Sequence, residues 1–81
     1  MELLKLEMNV EGLIQIFPDI EIIDGEINYN YPDLSFIKSA IKTSYIENKR
    51  YLADISSIML NDIEVEKKDE TYIVDIYFTA N

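Results

Sequence analysis

Asp62, Glu64 and Glu66 alternate with Ile63 and Val65 in the stretch DIEVE. On an extended strand these three carboxylates project from one face at intervals of about 6.8 Å. A stiff line of negative charge can hold a hard divalent cation, or it can occupy the basic groove of a nucleic-acid-binding protein in place of phosphates. Neither the spaced aspartates nor the glycine of an EF-hand loop accompanies the line, which favours docking over metal binding. A more ordinary use is to keep a strand solvated and protected from edge pairing. Glu21, Asp24 and Glu26 form a second acidic group around Asp24-Gly25, and Tyr29 and Tyr31 follow in INYNYPDL. The two tyrosines are aromatic anchors if their face is exposed, or strand side chains with hydroxyls reaching water if it is covered.

Asp75 interrupts the apolar run TYIVDIYF. A carboxylate there either lies at an exposed position on a half-covered face or is buried, with a raised pKa or a cationic partner. Lys38, Lys42 and Lys49 would fall within about 40° of one another on a helix, beside the apolar positions Leu34, Ile37, Ile41 and Tyr45. They read as a basic stripe whose stems lie along the core edge, or as an anion or partner site.

What is missing narrows the chemistry further. The chain has no cysteine and no histidine, so thiolate nucleophiles, disulfides and the commonest general base are excluded. Two glycines cannot build either common phosphate-cradling loop. A pair of carboxylates can cleave a glycosidic bond only across a cleft, and 81 residues leave little room for one. The sequence therefore predicts no enzyme, no cofactor and no metal.

The net charge of −9 is unevenly spread: residues 1–33 hold eight acids and one lysine, residues 34–50 one acid and four bases, and residues 51–81 seven acids and two lysines. Such a chain repels nucleic acid and anionic lipid and is steered toward basic partners. No uncharged apolar run approaches the roughly 18 residues of a membrane span, and the start MELLKLEMNVEG carries acidic residues where a signal peptide needs basic ones. A cytoplasmic location is the expectation.

The elements that must position these groups follow from periodicity. ELLKLEM alternates with Leu4, Leu6 and Met8 on one side, a half-buried strand. Asn9 fits an N-cap before a short helix near 10–17, with Val10, Leu13, Ile14 and Phe17 as its apolar face; Gly12 weakens this reading, and a strand through LIQIF is the alternative. Asp24-Gly25 between apolar-rich runs predicts a two-residue type I′ hairpin turn. Pro32 and Asp33 open the main helix, over about 33–48. Beyond it, a strand from about 51 to 60 is preferred to a continued helix, which would be about 42 Å long. IEVE and TYIVDIYF, separated by KKDE, form a last hairpin, and apolar residues on both faces of the second arm make it a central strand.

The expectation is a single α+β domain over residues 1–81: an antiparallel sheet of about four to five strands with the main helix across one face. Its predicted function is that of a non-enzymatic acidic protein-binding module, an inhibitor that docks on a basic, nucleic-acid-binding protein as a nucleic-acid mimic. The comparison with phage or mobile-element inhibitors is one of composition alone. The predicted binding residues are Asp62, Glu64, Glu66, Glu21, Asp24, Glu26, Tyr29 and Tyr31, with no direct contact to nucleic acid or membrane. The alternative is a structural or regulatory subunit that acts through homodimerisation or complex assembly, its apolar strands extending a sheet across an interface.

Overall fold

The computed structural model describes residues 1–52 and 54–80; Ala53 and Asn81 lie outside the described residues. Strand β1 (Glu2–Met8) leads into helix α1 (Val10–Ile16), followed by the short hairpin β2 (Glu21–Ile23) and β3 (Glu26–Asn28), helix α2 (Leu34–Glu47), a single 3₁₀ turn (Ile55–Ser57), and the long hairpin β4 (Met59–Lys68) and β5 (Thr71–Thr79). The fold is α+β, with its five strands divided between a three-stranded antiparallel sheet in the order β1-β5-β4 and the separate β2-β3 ribbon.

The predicted N-cap at Asn9 forms, and Asp33, expected in the opening turn of the main helix, is its cap. The Asn9 side chain accepts from the Gly12 N–H at 3.0 Å, and Asp33 accepts from the Phe36 N–H at 3.2 Å, each satisfying an otherwise orphaned donor of a first turn. Pro32 stands just before the cap rather than inside the helix. Gly12 has a packing reason: a Cβ there would sit 3.1 Å from the Met8 Cβ, so the glycine lets α1 fold back closely on the end of β1. Asp24 and Gly25 both take positive φ, +51° and +82°, as the predicted turn requires.

The core lies between the helices and one face of the three-stranded sheet. Tyr72, Val74, Ile76 and Phe78 of β5 are buried there against Leu13, Ile16 and Phe17 and against Ile37, Ile41 and Tyr45. Leu4, Leu6 and Met8 pack at its margin, as the alternation in β1 predicts. β5 is central, and its other face is the half-buried one.

Four expectations are corrected. The apolar face of α1 is Leu13, Ile16 and Phe17, while Val10 and Ile14 are exposed, because the close approach at Gly12 rotates the helix away from the face that Val10 begins. The strand expected over 51–60 is reduced to Met59 and Leu60 at its end. Nor does α2 continue: Asn48 caps it, Lys49 turns the chain at φ +56°, and Asp54 caps the 3₁₀ turn. That same left-handed residue takes Lys49 off the basic stripe, leaving Lys38 and Lys42. The last hairpin turns through Asp69-Glu70 alone, with Lys67 and Lys68 inside β4.

β4 carries one irregularity. Leu60 pairs with Phe78 and Asp62 with Tyr77, so Asn61 is an extra residue, a β-bulge. It resolves a conflict in the sequence. Leu60 and Ile63 both pack against the core although they are three residues apart, which a regular strand of period two forbids.

Candidate functional site

The helices cover one face of the three-stranded sheet; among the described residues no helix or strand packs on the other. The register assigns that open face three rows across the strands β1, β5 and β4: Leu3–Tyr77–Asp62, Lys5–Asp75–Glu64 and Glu7–Ile73–Glu66. Adjacent strands lie about 4.8 Å apart, so the face is a stiff grid of charged side chains around the half-buried Ile73 and Tyr77. Asp62, Glu64 and Glu66 are all exposed on β4, as the alternation predicts.

The middle row decides the electrostatics. Lys5 Nζ lies 2.8 Å from Asp75 Oδ1, and the Asp75 side chain is 13% exposed against 61% for Lys5. The interruption of the apolar run is therefore a carboxylate with a cationic partner on the half-covered face. The Asp75 contact is also the main cause that raises the Lys5 pKa above its ordinary value. Glu64 stands directly opposite Asp75 on the other side, a like-charge pair of the kind that costs stability in a sheet. The row thus holds one lysine, bonded to Asp75, against two facing carboxylates, with Asp62 and Glu66 on either side of Glu64. Glu7 accepts from the Thr71 hydroxyl at 3.0 Å, and Lys68 stands at the far tip of the hairpin.

Tyr29 joins this region from the side. Its ring packs 4.4 Å from Phe17 and its hydroxyl donates to the Ile63 carbonyl at 3.2 Å, pinning the β2-β3 ribbon to the outer edge of β4. Burial, then the charges of Asp62 and Glu64, raise its pKa, which keeps the phenol protonated and able to donate. Tyr29, Glu64, Val65, Glu66 and Asp75 border one depression beside β4.

The remaining predicted residues lie elsewhere. Glu21 borders a second depression with Asp19, Asn28, Tyr29 and Asn30, while Asp24 and Glu26 sit exposed at the ribbon's tip. Tyr31 is not on a strand; at 86% exposure it stands at an apolar groove with Pro32, Leu34, Lys38, Met59 and Leu60. The structure thus brings Tyr29 to the acidic line and leaves Tyr31 and the ribbon acids apart from it. The sequence reading missed Tyr77 as the aromatic of the open face, although its place two residues from Asp75 was the available signal.

A second polar cluster ties β1 to the end of α2. Arg50 Nη1 lies 2.7 Å from Glu2 Oε1, the Tyr45 hydroxyl donates to Glu2 Oε2, and the guanidinium sits 4.3 Å above the Tyr45 ring. Arg50 first, then Tyr45, holds the Glu2 carboxyl below the usual range. All its charges are matched within the cluster, which makes it a clasp.

Among the described residues no group of three or more acidic side chains converges closely enough to hold a metal ion, and no helix is long and apolar enough to cross a membrane. Comparison of this chain with family models, with curated proteins and with solved structures finds no match.

Proposed function

We propose that this domain is a protein-binding module that docks the open face of its sheet onto a basic surface of another protein, and that the partner is a nucleic-acid-binding protein whose phosphate-contacting groove the acidic line enters. The observation that carries this reading is the unbalanced middle row, in which Asp75 has Glu64 opposite it on one side and Lys5, the row's one lysine, on the other. A sheet built for stability alone gains nothing from opposed carboxylates, whereas a lysine or arginine supplied by a partner would relieve the repulsion and pair with Asp62 and Glu66 as well. Long-range charge supplies the encounter rate, and the apolar surface of Tyr77, Ile73 and Leu3 beside the acids supplies contact area that loses water on binding. No step of this function needs a catalytic group.

The test is capture of partners on the immobilised domain at physiological salt, followed by elution with duplex DNA or RNA and separately with a salt step. A nucleic-acid mimic loses its partner to both eluents, since the added phosphates compete for the same basic groove. A partner released by salt but untouched by nucleic acid would remove the mimicry and leave only a charged docking surface.

A further inference from the structure

The three-stranded sheet ends in two edge strands, β1 and β4, and they are not alike. An exposed edge offers unpaired N–H and C=O groups to any other strand, and native proteins blunt it. β4 is blunted three times over: the bulge at Asn61 breaks its ladder, the Tyr29 hydroxyl occupies the Ile63 carbonyl, and its acids repel a second copy. Paired residues of antiparallel strands share a face, so two copies of β4 could only set open-face residues against open-face residues. Every such register across the middle of β4 opposes one of Asp62, Glu64 and Glu66 to another.

Among the described residues β1 has neither a bulge nor a side chain bonded to its backbone, and its charges are arranged the other way. Its open face carries Leu3, Lys5 and Glu7, and its helix-covered face Leu4, Leu6 and Met8. Two antiparallel copies related by a two-fold axis at Leu6 set Lys5 opposite Glu7 of the second copy, and Glu7 opposite its Lys5. On the other face Leu6 meets Leu6 and Leu4 meets Met8, extending both cores. An axis at Lys5 would oppose two lysines, and one at Leu4 would form no ion pair. The lysine ammonium has three donors, so Lys5 can keep Asp75 while it binds Glu7 of the neighbour.

We infer that β1 is the interface of a two-fold homodimer, in which it joins its own copy to make a six-stranded sheet ordered β4-β5-β1-β1-β5-β4, the partner being a second copy of this chain. The contact is isologous and closes on itself, so it makes dimers and not filaments. It does not rest on the docking reading, although it would place two acidic faces side by side.

Sedimentation of four chains tests it: the native protein, Lys5→Glu, Glu7→Lys and the double exchange carrying both. The native chain is expected to dimerise and to dissociate on dilution. Each single exchange opposes like charges twice and weakens the dimer by about tenfold, and the double exchange restores it. An equimolar mixture of the two single variants forms a heterodimer more tightly than either pairs with itself. Both positions are exposed, and Glu7→Lys leaves the Lys5–Asp75 contact untouched, so that arm stands even if Lys5→Glu loosens the fold. A native chain that stays monomeric to roughly 1 mM, or single variants that pair as tightly as the native chain, would overturn the inference. So would a mixture that gains nothing.

Discussion

Deleting Asn61 should leave this domain folded, while deleting Glu64, an equally exposed residue three positions on, should unfold it. The reasoning rests on the phase of β4 against β5. With Asn61 gone, Leu60 remains opposite Phe78 and Asp62 opposite Tyr77, now as neighbours in an unbroken ladder, and every side chain keeps its face. The loss is the hydrogen bond from Asn61 Nδ2 to Thr79 Oγ1, 2.8 Å long and exposed, worth about 1 kcal/mol or less. With Glu64 gone and Val65 still opposite Val74, Ile63 turns to the open face opposite Asp75, and Asp62 turns inward opposite Ile76, which is fully buried. Exiling the half-buried Ile63 costs about 1 kcal/mol, and an unpaired carboxylate against the core several more. The sum, roughly 4 kcal/mol or above, is a large share of the 5–10 kcal/mol on the order of which a domain of this size is stable. Urea unfolding followed by circular dichroism compares the two. If both deletions lower the midpoint equally, the bulge is not what holds the register.

Three further perturbations probe the supports of the site. Tyr29→Phe removes the hydroxyl from the Ile63 carbonyl and should cost about 1 kcal/mol in the same urea assay, with the ribbon amides losing protection from hydrogen exchange before those of β5. Gly25→Ala places a side chain at φ +82° where nothing lies within 4 Å, so its cost of about 1–2 kcal/mol is backbone strain alone, and Gly25→Asn should recover part of it. Glu2 sets an acid limb. Its folded pKa is held below the ordinary value of 4.5 by Arg50 and Tyr45, so the stability it lends is complete above that value and is lost as pH falls through the lowered one. Melting temperatures recorded from neutral pH downward should show Glu2→Gln less stable at neutral pH and converging on the native chain in acid.

Much of the fold was legible because its signals are local. The alternation in β1, the Asn9 cap, the start of the main helix near Asp33, the Asp24-Gly25 turn and the two-sided apolar character of β5 each follow from residues within a few positions of one another, and each formed. What failed depended on how the elements fold back on one another. The face of α1 is set by how closely Gly12 meets Met8, and the end of α2 by a left-handed Lys49 whose neighbour Arg50 is drawn back to Glu2. For the site, period two placed Asp62, Glu64 and Glu66 on one exposed face. It could not show that Asp75 and Lys5, 70 residues apart in sequence, would share a row with Glu64. The bulge could have been read from the odd spacing of Leu60 and Ile63, a phase slip that only an extra residue absorbs.

Side-by-side capture on the native domain and on Asp62→Lys/Glu64→Lys/Glu66→Lys shows whether the open face of the sheet is the docking surface. All three positions are exposed and Glu64→Lys removes the repulsion from Asp75, so the triple variant should melt no lower than the native domain does. A basic nucleic-acid-binding protein should be retained at physiological salt by the native domain and lost from the reversed one. Retention of the same proteins by both would contradict it, and the acidic line would then be a solvated strand face and nothing more.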